Sequence, residues 1–401
     1  MTVRNDKPSP VPGARMRGGH LLHRRGLMAG AAALGLAGCA ANAGSDRFAR
    51  IDARVHRAIA DGQTPGAVVA IGHGGALVYG RTFGNRALVP SPEPLTWQTR
   101  FDMASLTKVL ATAPSVMQFW ERGVFQLDDP VVRYWPEFAA NGKGAITIRM
   151  LLTHYSGLKP DLPLDTPWAG RETAVRLILE STPDRSPGTQ FVYSDINFLT
   201  LGILVERWSG QTLADYVQGN VLGPLGMTQS GFQPSGSLRP MIAPTQFDEH
   251  GAMMRGVVHD PTSRRMDGIA GHAGLFSDIN DTCLYAQALL DRRAGRPSTY
   301  PLQMRTVQMM TTPQQPDPHA ADKRGLGWDI DTPFSSPRGD VFPKSSFGHT
   351  GFTGTSLWMD PASDTFVAIL TNRVHPRGGH SVVALRHDVA TLAGQALGLT
   401  S

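Results

Sequence analysis

Apolar positions in "RFARIDARVHRAIADG", Arg47 to Gly62, recur at three- and four-residue spacing, so the stretch predicts an amphipathic helix that stops at a glycine. The period then changes. "GAVVAIGHGGALVYGRTFG", Gly66 to Gly84, is two β-rich runs around His73-Gly74-Gly75 and predicts a hairpin. Near the other end, "TSLWMDPASDTFVAILTNR" predicts two strands around Asp360-Pro361, and "SVVALRHDVATLAGQAL" predicts a closing helix. The middle of the chain has helical periodicity instead. "LTKVLATAPSVMQFWERG", "ITIRMLLTHYSGL", "ETAVRLILEST", "INFLTLGILVERWSG" and "DTCLYAQALLDRRAG" all read as helices separated by Pro- and Gly-rich loops. The simplest architecture is an α+β fold. An antiparallel sheet is built from both chain ends and flanked by helices, a mostly helical region is inserted between them, and the active site lies between the two. The expected boundaries are 47–95 and 320–401 for the sheet-containing part and 96–319 for the helical part.

Charge alters only the reading of the N-terminus. The 401 residues carry a formal net charge of +5. Residues 1–38 contain Arg4, Lys7, Arg15, Arg17, Arg24 and Arg25 against the single acid Asp6, and the remainder has 32 basic and 32 acidic residues. A chain so balanced gives no reason to expect a nucleic-acid partner. Arg24-Arg25 precede the apolar run "GLMAGAAALGLAG", Gly26 to Gly38, which falls short of the ~20 residues needed to span a bilayer. The pattern is that of an export signal over 1–38. Its end, "LAGC", resembles the bacterial lipoprotein signal, which implies acylation at Cys39, a short tether over 39–46, and a membrane-anchored protein in the periplasm or on the cell surface. A plain secretory signal cut after "ANA", Ala41 to Ala43, is the alternative. The other cysteine, Cys283, lies in an apolar-periodic segment and reads as an inert core thiol.

The candidate chemistry begins at "FDMASLTKVL". Ser105 and Lys108 are three residues apart at an expected helix start, so both lie on one face and the serine sits beside unpaired backbone N–H groups. A desolvated lysine can lose its proton near neutral pH and then accept the serine proton. A second S-x-x-K, Ser156 to Lys159, is disfavoured because Gly157 and Pro160 interrupt the helix. "GTQFVYSDINFLTLG" puts Tyr193-Ser194-Asp195 at another helix start, where a phenol near a lysine makes a proton relay. Helix capping by Ser194 or Asp195, with Tyr193 a half-buried aromatic, is the ordinary reading of the same residues. "FGHTGFTGTSLWMD" opens a strand at His349-Thr350-Gly351, and its glycines suit close approach of a substrate to the backbone. His259, Asp260 and His272 have no metal-ligand spacing and read as loop residues around the cleft; no metal or cofactor is expected. The chain has no G-x-S-x-G and no dinucleotide or Walker loop.

The three elements in this order resemble the serine β-lactamase and penicillin-binding protein superfamily, in its class C, D,D-peptidase and esterase branch. The likeness runs from about residue 50 to 395. It implies Ser105 as the acylated nucleophile, Lys108 as its base partner and Tyr193 as the relay. It also implies an oxyanion hole from the N–H groups of Ser105 and Phe352, worth about 3 kcal/mol per donor. Asp195, His349, Thr350, Gly351 and Phe352 would contact substrate, and Gly271 to Gly274 would line the cleft. Two positions depart from the pattern. Asp195 stands where Y-x-N has an amide, with Asn197 expected to point elsewhere, and His349 replaces the lysine of K-T-G. The implied activity is hydrolysis through an acyl-Ser105 intermediate of D-Ala-type cell-wall peptides or small esters and amides. A carboxylesterase, or a β-lactam-binding protein with little turnover, is the alternative.

Overall fold

Strand β1 (Gly66–His73) is buried along nearly its whole length. Its side chains alternate between two cores: Val68 and Ala70 face one, and Ala67, Val69 and Ile71 the other. The computed structural model describes residues 46–400. The expected signal over 1–38, Cys39 and the tether up to residue 45 lie outside the described residues.

β1 sits inside an eight-stranded sheet with β2 (Ala76–Ala87), β3 (Glu93–Pro94), β7 (Lys323–Arg324), β8 (Asp329–Asp331), β9 (Phe347–Thr350), β10 (Ser356–Asp360) and β11 (Thr365–Thr371). A three-stranded sheet joins β4 (Phe101–Asp102), β5 (Gly231–Phe232) and β6 (Leu275–Ser277) in the order β4-β6-β5. The large sheet runs β3-β2-β1-β11-β10-β9-β8-β7, and its neighbours are antiparallel. The α+β expectation, a sheet made from both chain ends with a helical region between, is borne out. In register, Val69 faces Arg81 on β2 and Ile369 on β11.

One face of the sheet is covered by helices Ala49–Ala60 and Val383–Ala396, which bury Ile51, Val55, Leu385 and Val389 against Val69, Val367 and Ile369. Each fully buried aliphatic side chain of this kind contributes about 1.5–3 kcal/mol. Arg54 Nε donates to Asp388 Oδ2 at 2.7 Å and ties the two helices together. The other face carries the helical region, with Leu106, Val109, Phe198 and Trp328 in its core beside Val68, Ala368 and Leu370.

Three local outcomes differ from the sequence pattern. The helix expected across "ITIRMLLTHYSGL" is only Ile148–Thr153, because His154 takes a left-handed conformation and ends it. His349 and Thr350 close strand β9 rather than opening a strand, and the next strand starts at Ser356. The helix after Ser105 is not uniform. Lys108–Thr112 form a wide π-helical turn directly before Ala113–Glu121. Pro114 has no N–H to return to the carbonyl four residues back, so the regular ladder is interrupted there in any case.

Candidate active site

β4 delivers the chain to the nucleophile turn. Its partner β6 aligns Asp102 with Phe276, and the Met103 N–H donates to the Leu275 carbonyl at 2.9 Å. Ala104 then adopts φ +46°, a conformation that strains a residue bearing a Cβ. The turn is held by the buried Asp102 carboxylate, which accepts from the Ala104 N–H at 2.9 Å and the His259 N–H at 2.6 Å. Burial lifts Asp102 to about 6 despite those two donors. The Leu106, Thr107 and Lys108 N–H groups start the helix on Met103, Ala104 and Ser105. Ser105 is therefore left on the lip of the turn, and Lys108 is one turn behind it.

Lys108 is fully buried. Its Nζ donates to Ser105 Oγ at 3.0 Å and to the His272 carbonyl at 3.2 Å, and it forms an ion pair with Asp195 Oδ1 at 2.6 Å. Tyr193 closes the cluster: the ammonium lies 5.0 Å from its ring centroid, and its hydroxyl is beside Ser105 and Lys108. The structure thus brings Ser105, Lys108 and Tyr193 to one point.

The electrostatics differ from the expectation for Lys108. Burial pushes the ammonium towards the neutral amine, but the adjacent Asp195 carboxylate and Tyr193 outweigh it and hold Lys108 above its ordinary value. The resting lysine is therefore a cation. Burial pushes the Tyr193 phenol up; Lys108 opposes that and Asp195 adds to it, leaving the phenol protonated. Asp195 was expected as a substrate contact standing in for an amide. It lines the cleft, but its carboxylate is engaged with Lys108. Asn197 points away, with Oδ1 accepting from Ser156 Oγ at 2.5 Å and Nδ2 3.1 Å from His154 Nδ1. The second S-x-x-K does not assemble, since Ser156 is buried and Lys159 is exposed.

Sequence reasoning missed His154. Its ring stacks on Tyr193 at 4.4 Å and 26°, and its Nδ1 accepts the Ser194 N–H at 3.1 Å, so the phenol rests on a fixed plane. Burial keeps His154 neutral. A histidine between two helical stretches carries no local mark of this contact.

On the sheet side, His349, Thr350 and Phe352 line the same cleft of about 420 Å³ as Ser105 and Tyr193. His349 is buried and its Nδ1 lies 2.9 Å from the Thr350 carbonyl. Burial, reinforced by Arg324 and Lys108, pushes it well below the ordinary histidine value, so it is a neutral ring and not a fixed cation. Gly351 lies behind the cleft. A Cβ there would meet Thr355 Oγ1 at 2.1 Å and the Met103 carbonyl at 2.6 Å, so only glycine lets this turn approach the nucleophile turn. Arg386, reaching through from the outer helix, donates to the Gly351 and Thr355 carbonyls at 2.8 Å each. Among the described residues, the Ser105 and Phe352 N–H groups meet no acceptor.

Within the stretch Gly271 to Gly274, Ala273 is the residue that lines the cleft. Gly271 is wedged against the helix Asp195–Ser209, where a Cβ would lie 2.0 Å from the Phe198 carbonyl. His272 Nε2 bonds Asp260 Oδ1 at 2.8 Å. Burial disfavours the His272 cation, but Asp260 outweighs it and holds the ring above its ordinary value. Asp195, Asp260 and His272 bring ligand atoms within 4.8 Å of one another. The Lys108 ammonium and the His272–Asp260 bond already fill that space, so it is a pair of ion pairs, not an open metal cradle. Cys283 is partly buried in the core, and burial pushes its thiol up, away from reactivity.

Comparison with known proteins extends this picture beyond the site. The chain is 29% identical over 368 residues to an N-acetylmuramyl-L-alanine amidase of Bacillus subtilis (strain 168), covering 82% of this chain and 81% of that one. It is 29% identical over 341 residues to a putative D-alanyl-D-alanine carboxypeptidase of Escherichia coli (strain K12), covering 75% and 76%. The solved structure of EstCE1, a hydrolase with promiscuous acyltransferase activity, shares the fold with a TM-score of 0.69 at 22% identity, over 87% of this chain and 99% of that one. The Beta-lactamase family model matches residues 51–391. That match begins in the first helix of the sheet layer and ends in the last, so the chain belongs to the β-lactamase family of serine hydrolases.

Proposed function

We propose that this hydrolase acts on small esters or amides that lack a carboxylate next to the scissile bond, through an acyl-Ser105 intermediate. Ser105 Oγ attacks the substrate carbonyl carbon while its proton passes to Lys108 once that amine is neutral, either directly or through Tyr193, whose phenol gives its own proton to Lys108 as it takes the one from Ser105. The developing oxyanion accepts from the Ser105 and Phe352 N–H groups. Tyr193 and Lys108 return the proton to the leaving group, and water then attacks the acyl carbon by the reverse relay. The observation that carries the reaction is the 3.0 Å contact between a fully buried lysine and Ser105. The observation that carries the substrate class is the neutral, buried His349 at the position where K-T-G has a lysine.

A second reading, hydrolysis of peptides ending in D-alanine, has Arg324 in its favour, because this cation also lines the cleft. Against it, the Arg324 charge is paired with Asp329 at 3.4 Å and its Nη2 donates to the Gly327 carbonyl at 3.0 Å, which leaves only its buried Nε without a partner. The name of the Escherichia coli relative favours the second reading as well. Labelling with a fluorophosphonate and with a fluorescent penicillin, followed by mass spectrometry, tests both. The expected result is a fluorophosphonate adduct on Ser105 and turnover of p-nitrophenyl esters without cleavage of D-Ala-D-Ala peptides. An adduct elsewhere overturns the mechanism, and efficient D-Ala release overturns the substrate class. Export and anchoring through Cys39 rest on the N-terminal sequence signal alone; a Cys39→Ser protein that stays in the membrane fraction counts against them.

A further inference from the structure

The cleft wall carries four aspartates, Asp161, Asp195, Asp260 and Asp329. Three of them have a cation. Asp195 pairs with Lys108 at 2.6 Å, Asp260 with His272 at 2.8 Å and Asp329 with Arg324 at 3.4 Å. Among the described residues, Asp161 has no basic side chain at ion-pair distance. It is held in place by neutral donors: Thr262 Oγ1 lies 3.0 Å from both carboxylate oxygens, and the Leu162 N–H donates to Oδ1 at 2.7 Å. The site is thus built to fix a carboxylate without neutralising it. Arg373, Arg265 and Arg386 border the cleft but are bonded to the Phe352, Leu164 and Gly351 carbonyls, and none of them forms an ion pair with Asp161.

We propose that Asp161 is the specificity residue of this cleft and binds an alkylammonium group on the substrate. The inference rests on Ser105 ester or amide hydrolysis and narrows it to cationic substrates. Two further features of the cleft fit. His349 offers no charge to a substrate anion, and the Arg324 charge is paired with Asp329. Leu164 and Phe334 line the same space and expose apolar surface, 39% and 50%, on which the alkyl stem of an amine can lie. A carboxylate-bearing substrate would instead meet Asp161 as a like charge.

The test compares p-nitrophenyl esters of 6-aminohexanoic acid and heptanoic acid, which match in length and differ in charge. In the wild-type enzyme the ratio of kcat/KM, cationic over neutral, is expected to be about tenfold or more, the scale of one charge-assisted hydrogen bond in a partly desolvated site. In Asp161→Asn, which keeps an oxygen for Thr262, the ratio falls to near one; in Asp161→Lys it inverts. Competitive inhibition by n-butylammonium against n-butanol covers an amine on the leaving-group side, with the same expected loss in Asp161→Asn. The preference is also expected to fade as pH falls through about 6, where burial sets the Asp161 carboxyl, with His272 lowering and Asp260 and Asp195 raising it. Neutral-ester turnover with no cationic preference by either measure, or a preference unchanged in Asp161→Asn, overturns this inference alone. Failure to turn over any ester overturns the underlying reading instead.

Discussion

Replacing Asp195 by asparagine tests the electrostatics of the cluster directly. The amide keeps the shape of the carboxylate and an oxygen for Lys108, but removes the charge 2.6 Å from Nζ. With the carboxylate present, Lys108 stays above its ordinary value, so at pH 8 the neutral amine that can accept the Ser105 proton is the minor form. Without it, only burial and Tyr193 act, and burial lowers a lysine. Loss of an adjacent opposite charge typically moves a pKa by about 1–3 units. The Tyr193 phenol moves the same way, since Asp195 raises it too. The assay is kcat/KM for p-nitrophenyl acetate from about pH 6 to about pH 10. For a base whose pKa is raised, activity is low below that value and rises with pH through it. The rising limb is therefore alkaline in the wild type and moves down by about one unit or more in Asp195→Asn. At pH 8 the neutral fraction rises about tenfold or more, and the lower basicity of the amine gives back part of that gain. A limb that does not move refutes the role assigned to the ion pair. Loss of activity at every pH refutes it differently, by making Asp195 itself the proton acceptor.

Tyr193→Phe retains the stacking on His154 but removes the hydroxyl, and kcat for esters is expected to fall about 10²–10⁴-fold with little change in KM, measured by steady-state kinetics. Lys108→Ala is expected to abolish fluorophosphonate labelling of Ser105 while the circular dichroism spectrum persists; strong residual labelling contradicts its role as base. Gly351→Ala forces a Cβ into Thr355 Oγ1 and the Met103 carbonyl, so the Phe352 N–H shifts and kcat drops about 10²–10³-fold, the cost of one oxyanion donor. Leu385→Ala empties a fully buried site between the outer helix and the sheet, far from the cleft; urea unfolding is expected to show a loss of about 2–5 kcal/mol with kcat/KM for esters unchanged.

Much of the fold was legible because its long elements have clear patterns. The short unbroken apolar runs of β1 and β11 mark strands buried on both faces, the three- and four-residue spacing at Ala49–Ala60 marks a helix buried on one face, and the longer apolar run at Asp195–Ser209 marks a helix buried all round. The short elements were not legible. β4, β5, β7 and β8 are two or three residues long, too short to show any period, yet β4 and its partner β6 aim the nucleophile turn.

What the sequence determined by itself was the set of reactive groups and the fold that carries them. Spacing along one helix turn puts Ser105 within reach of Lys108, because three residues on a helix share a face whatever surrounds them. What only the tertiary structure decided was the charge state of those groups. Whether Lys108 is amine or ammonium depends on Asp195, 87 positions away, and whether Asp161 has a counter-ion depends on which cations the other aspartates have already taken. Coulomb energies and desolvation depend on distance through space and on burial, and neither is written in the order of residues.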